Sequence, residues 1–149
     1  MKEPAISTLH IPTDRYYDAS SHIWVRKDPA TGRILVGLDR LGLQAVGDLA
    51  YIRLHPVGTA IIRGEPMGTL EAAKMTGDLV APVSGILIGS NETVLRDPTL
   101  VNRDPYDAGW IVSIDATNWQ AESAELVGGS AISAWVDSEV ERYRKQGWI

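Results

Sequence analysis

Apolar residues in this chain come in short runs, broken every few positions by glycine or proline. Ser21-His22-Ile23-Trp24-Val25-Arg26 alternates in character and predicts a strand. Asp28-Pro29-Ala30-Thr31-Gly32 predicts a turn, and Arg33 to Leu38 the returning strand of a hairpin. Asp39 is placed to cap a short helix through Leu41, Leu43 and Val46, with Gly47 ending it in the left-handed region. Leu49 to Leu54 reads as a strand, His55-Pro56-Val57-Gly58 as a turn, and Thr59 to Arg63 as a further strand. Gly64-Glu65-Pro66 turns the chain into a strand from Met67 to Ala72, which Thr76-Gly77-Asp78 is expected to break. The run Leu79-Val80-Ala81-Pro82 leads through Val83-Ser84-Gly85 into the apolar strand Ile86-Leu87-Ile88. Asn91 is expected to cap a helical turn through Leu95, Pro98 to Val101 to form another turn, and Gly109 to Ile114 to form the last strand.

The period changes near the C-terminus. Ile132, Trp135, Val136, Val140 and Tyr143 fall on one face of a helix over 131–146. Asp137, Glu139, Glu141, Arg142, Arg144 and Lys145 read as its charged face, with Gly147 as a C-cap. Many short strands followed by a helix predict a mainly β fold, a sandwich or flattened barrel with small helical additions. Residues 1–15 read as an N-terminal arm and 16–149 as one domain. No solenoid repeat appears, although the segments on either side of Lys74 share a strand, turn, strand pattern.

The chain has 149 residues, enough to bury a core without disulfides. Its net charge is -5 with no clustered basic stripe, which argues against nucleic acid as a partner. There is no cysteine, so thiol chemistry would have to come from an attached group. His10, His22 and His55 lack metal-site spacing, and no metal is expected. No apolar run suits a signal or a membrane span, which points to a cytoplasmic protein.

Lys74 carries the most chemistry. It is the single lysine between Lys27 and Lys145, and every other basic residue of that span is arginine. Ala72, Ala73 and Gly77 leave it uncrowded at the tip of a hairpin. An exposed ammonium acylates slowly, so a modifying enzyme bringing an activated acyl group would have to recognise this turn.

Gly64-Glu65-Pro66, Gly68, Glu71, Lys74 and Ala81-Pro82-Val83-Ser84-Gly85 resemble the swinging-arm site of the biotinyl/lipoyl attachment superfamily. That pattern alone leaves biotin and lipoate open. Leu100-Val101-Asn102-Arg103-Asp104-Pro105-Tyr106, with Gly109-Trp110, resembles the signature of glycine cleavage H-proteins. His22-Ile23-Trp24-Val25-Arg26 and Gly47-Asp48-Leu49-Ala50-Tyr51-Ile52 are similar to two further segments of that family. The resemblance runs from about Tyr16 to the C-terminal helix. It implies a hybrid β-barrel sandwich of the lipoyl/biotinyl hammerhead type and a non-catalytic carrier with lipoate bound covalently to Lys74. Glu71 and Asp78 flank the lysine as candidate recognition residues. The implied partners are a lipoate ligase or octanoyltransferase, dihydrolipoamide dehydrogenase and the enzymes served by the arm, with the carrier itself a monomer.

Two positions depart from the family pattern. Ile23 stands where H-proteins place Glu, and Leu41 where they place His. Both family residues line the cleft that receives the aminomethyl-loaded arm, and an amine withdrawn from water needs polar partners. Ile23 and Leu41 cannot provide them. The expectation is therefore a carrier of sulfur in a heterodisulfide-reductase-like sulfur-oxidation complex, whose lipoate-binding proteins resemble this chain in Glu71-Ala72-Ala73-Lys74-Met75-Thr76-Gly77-Asp78 and the basic tail. The alternatives are a glycine cleavage H-protein carrying the aminomethyl group, a non-lipoylated structural paralogue and a biotin carrier.

Overall fold

The computed structural model describes residues 9–149. The elements follow in chain order as β1 (Tyr16–Tyr17), β2 (Ile23–Lys27), β3 (Ile34–Leu38), α1 (Arg40–Val46), β4 (Leu49–Leu54), β5 (Ala60–Ile61), β6 (Pro66–Ala72), β7 (Thr76–Val80), β8 (Gly85–Ser90), α2 (Glu92–Arg96), α3 (Thr99–Arg103), β9 (Val112–Ala116), α4 (Trp119–Ser123) and α5 (Ala131–Gln146). They build two antiparallel sheets, one ordered β1-β2-β3-β9-β8-β5 and the other β4-β6-β7. The mainly β class holds. The sheets remain two separate ladders among the described residues and do not close into a barrel.

Strand β2 shows how the sequence pattern becomes packing. Ile23 and Val25 enter a core between the sheets with Val36, Ile52, Leu70 and Leu87. Trp24 points the other way, into a second core with Tyr17, Leu41, Ile132 and Val140 beneath α5. Alternation here therefore sorts residues between two cores, so Trp24 is 1% exposed. The indole needs a glycine opposite: Trp24 pairs with Gly37, where a Cβ would come 2.6 Å from the ring. Trp24 Nε1 also donates to Pro105 O at 3.0 Å. Leu9 is buried in the second core and Ile11 packs against it.

Several expectations change. Thr76-Gly77-Asp78 does not break the chain. It opens β7, because Thr76 and Asp78 find ladder partners in Glu71 and Thr69. The turn expected at 98–101 is the helix α3. Asn91 precedes α2 but makes no side-chain cap bond. Its amide donates instead to Ala108 O at 2.8 Å and Trp110 O at 2.7 Å, bracing the following loop. The last strand starts later than expected, at Val112, since Asp104 to Gly109 forms a tight turn. Gly109 N donates to Asp104 O at 2.8 Å, and a Cβ on Gly109 would lie 2.4 Å from that same oxygen. The Asp-Pro-Tyr and Gly-Trp motif is thus read here as turn chemistry. Strand β1 and helix α4 have no counterpart in the sequence reading, being two and five residues long.

Candidate functional site

Strands β6 and β7 form a hairpin whose tip is Ala73-Lys74-Met75. Ala72 N donates to Met75 O at 2.8 Å and closes the turn. The tip sits on the C-terminal end of α1. Lys74 N donates to Val46 O at 3.0 Å and Ala73 N to Asp48 O at 2.9 Å. The last carbonyls of a helix have no partner within it, so the hairpin satisfies groups that would otherwise face water. Gly47 makes the seat possible. Its φ of 80° suits glycine, and a Cβ there would stand 3.2 Å from Ala73 Cβ and 3.5 Å from Lys74 Cγ. The Lys74 side chain is exposed, and its Nζ donates to Gln44 O at 3.3 Å. Main-chain bonds thus fix the backbone of the lysine while its amine stays accessible.

Two clefts flank α1. One, of about 320 Å³, is walled largely by apolar groups including Ile23, Leu38, Val46, Leu70 and Leu79. Ser20, Ser21, His22, Asp78 and Tyr143 also border it, and Met75 borders it beside the lysine. Ser21 Oγ is buried without a hydrogen-bond partner. The second cleft, about 260 Å³, is lined by Arg40, Leu43, Gln44, Gly47, Asp48, Lys74 and Asn102. Gly42, Ala45 and Val46 of α1 face the first cleft, while Arg40, Leu43 and Gln44 face the second. That division follows from helical spacing.

The residues singled out from sequence separate accordingly. Asp78 and Ile23 line the apolar cleft, whereas Lys74, at the hairpin tip, lines the second one. Glu71 stands exposed on β6, across from Tyr51 and Thr76, and lines neither cleft. Leu41 lines neither one; at 1% exposure it is packed in the second core with Trp24 and Val140. Its turn of α1 faces α5 instead.

Sequence reasoning missed His22 and misplaced Glu139. His22 is 1% exposed, with Nδ1 at 2.8 Å from Asp39 Oδ2 and Nε2 at 2.7 Å from Glu139 Oε1. Each ring nitrogen thus faces a carboxylate oxygen, an arrangement that favours the protonated ring. Burial by itself lowers the imidazole's pKa, but the hydrogen bonds and charges of Asp39 and Glu139 outweigh it and leave it raised. Arg142 grips Glu139 from outside through Nε at 2.9 Å and Nη2 at 2.8 Å. This lowers the pKa of Glu139; burial opposes the shift and His22 adds to it. The Trp135 ring stacks on His22 with centroids 5.0 Å apart. His22 has φ 59°, rare for a side-chain-bearing residue, and the surrounding bonds hold it there. Gly42 leaves the space, since a Cβ would come 2.8 Å from His22 Cβ. The signal for Glu139 was legible: 132, 136, 139 and 143 share one helical stripe, so Glu139 faces inward and not with the charged face.

The arrangement is a small β domain presenting one lysine on a rigid hairpin beside a cleft large enough for a short acyl chain. It suits a carrier of a covalent arm. Among the described residues no group of three or more His, Asp or Glu is placed to hold a metal, and no helix is long and apolar enough to cross a membrane.

Comparison with known proteins agrees. The family model of the glycine cleavage H-protein matches residues 15–139. Glycine cleavage system H protein 3 of Aquifex aeolicus is 39% identical over 116 residues, covering 78% of this chain and 71% of that protein. The glycine cleavage system H protein of Carboxydothermus hydrogenoformans is 34% identical over 131 residues, covering 88% and 98% respectively. The crystal structure of the H protein from Mycobacterium marinum superimposes with a TM-score of 0.71 at 32% identity, covering 86% of this chain and 98% of that one. The chain belongs to the glycine cleavage H-protein family. Members are non-catalytic carriers holding lipoate covalently on a lysine.

Proposed function

We propose that Lys74 is the lipoylated residue and that the protein is the H-protein of a glycine cleavage system, carrying an aminomethyl cargo between partner enzymes. One observation carries the reading: an exposed lysine is seated by main-chain bonds on α1, and its neighbour Met75 borders a cleft that Asp78 and Ser21 also border. The residues fit a lipoyl arm. Gly47 opens the seat at Lys74 Cγ, and the cleft walls are mainly apolar, as a dithiolane and its hydrocarbon chain require.

When bound, lipoate supplies a sulfur that accepts and releases the cargo. The chain's own residues do the rest. The hairpin fixes the point of attachment, and tethering sets a high local concentration at each partner. The cleft shields what it holds from water. Asp78 provides a carboxylate at the rim for an ammonium, and the buried Ser21 Oγ provides an unpaired polar atom.

The expectation of a sulfur cargo rested on a cleft lacking polar groups. That premise weakens here. Ile23 does wall the cleft, but Leu41 lies outside it and Asp78 and Ser21 border it. The relatives described above are likewise glycine cleavage proteins. Glu71, exposed three residues before the lysine, is read as a contact for the lipoylating enzyme. Glycine cleavage enzymes, a lipoate ligase or octanoyltransferase and dihydrolipoamide dehydrogenase are the proposed partners, and the cytoplasm the proposed location.

Two measurements test this. Intact mass after lipoylation is expected to show one lipoyl adduct, mapped to Lys74; a biotin adduct, or no adduct on protein from its native host, overturns the assignment. Reconstitution with glycine cleavage enzymes is expected to give glycine decarboxylation. A lipoylated protein inactive there but active with a heterodisulfide-reductase-like complex would restore the sulfur reading.

A further inference from the structure

We propose that the arm has two berths, one on each side of α1, and that the polar cleft holds its root through Gln44 and Arg40. The inference rests on Lys74 being the acylated residue. Consecutive residues of the hairpin tip diverge: Lys74 lines the polar cleft and Met75 the apolar one. The lysine stem passes over Gly47, with Cγ and Cδ 3.5 and 3.8 Å from where a Cβ would be, and Nζ reaches Gln44 O at 3.3 Å. The arm therefore leaves the protein directed into the polar cleft, away from the apolar one.

Acylation removes the charge from Nζ but leaves one N–H and adds one carbonyl oxygen. The polar cleft offers a complement for each. Gln44 O already accepts from Nζ and can accept from the amide N–H. Arg40 lines the same cleft; its Nη1 donates to Asn102 O at 3.2 Å, and the guanidinium fork carries further N–H groups for the amide carbonyl. Asn102 holds the cleft wall, accepting from Leu49 N at 2.9 Å and donating to Gly47 O at 3.1 Å. A secondary amide is the chemical class this cleft takes. The dithiolane and its chain suit the apolar cleft instead. The arm cannot satisfy both at once along its whole length, so root-anchored and cleft-inserted states alternate.

The test uses the lipoylated full chain with ¹⁵Nζ-labelled lysine, in which the acylated lysine alone gives an Nζ amide resonance. Intact mass first establishes the adduct on Lys74; a missing adduct defeats the lipoyl assignment, not the berth. With the adduct present, amide hydrogen exchange at Nζ is expected to be at least several-fold slower than in a free acyl-lysine. Arg40→Gln, which keeps a donor for Asn102 O, is expected to remove most of that protection. Ala45→Leu, filling the apolar cleft, is expected to keep or increase that protection, since it removes the competing state, while speeding alkylation of the reduced dithiol. Exchange at the free rate in the parent protein, or protection lost in Ala45→Leu but kept in Arg40→Gln, overturns the proposal.

Discussion

The two ends of α1 perform opposite tasks. At its N-terminus, Asp39 is fully buried: Oδ1 accepts from Gly42 N at 2.8 Å while Oδ2 pairs with His22 at the same distance. Glu139 and Arg142 of α5 complete that node. At its C-terminus, Val46 O accepts Lys74 N at 3.0 Å, beneath an exposed lysine side chain. One end uses buried charge to lock two elements together. The other relies on backbone bonds, leaving a side chain accessible. A carrier needs both, because the arm must move while the cleft beside it keeps its shape. His22 and Tyr143 tie that cleft to the node, as both border it.

The contrast can be broken most completely at the exposed end. Lys74→Arg is expected to abolish the lipoyl adduct in intact mass while shifting unfolding free energy by no more than about 0.5 kcal/mol, as for other surface changes. A large stability loss would show that the lysine is part of the packing. At the buried end the effect should fall on stability. His22→Ala removes the partner of two carboxylates and is expected to cost about 3–5 kcal/mol in urea unfolding. Folded protein of that variant should still accept lipoate on Lys74, and a failure to do so would join the two ends functionally.

A pH series sharpens the comparison further. The folded pKa of His22 is raised, so its stabilisation is complete below the unfolded value of about 6.5 and is lost as pH rises through the folded one. The pKa of Glu139 is lowered, so its contribution is present above its unfolded value of about 4.5 and lost as pH falls through the folded one. The stability gap between the parent and His22→Ala is therefore expected to be greatest between roughly pH 4.5 and 6.5 and to shrink on the alkaline side. A gap independent of pH would mean that the imidazole acts by packing alone. The smallest effect is expected at Glu71→Gln, exposed on β6. It should slow lipoylation roughly fivefold, about 1 kcal/mol, and leave stability unchanged. An unchanged lipoylation rate would remove Glu71 from the recognition surface.

Much of the fold was legible because it is local. Asp39 and Gly47 bracket α1 as cap chemistry requires, the hairpin around Lys74 was visible in its small residues, and the stripe from Ile132 to Tyr143 located α5. What escaped depends on partners distant in sequence. Thr76 to Asp78 looks like a breaker until β6 supplies its ladder. Asn91 resembles a cap until the 108–110 carbonyls claim its amide. Glu139 looks solvated until His22, 117 residues away, is placed against it.

By itself the sequence determined the family, the hairpin and the lysine, since these are carried by contiguous motifs and by residue types with narrow backbone and chemical uses. The tertiary structure alone decided what surrounds that lysine. It moved Leu41 out of the cleft and into a core, brought Asp78 and Ser21 to the cleft, and set α1 as the wall between two clefts. The physical reason is that the polarity of a cavity belongs to no single segment: it is set by which faces of β2, α1, β7 and α5 meet, and only packing brings those faces together.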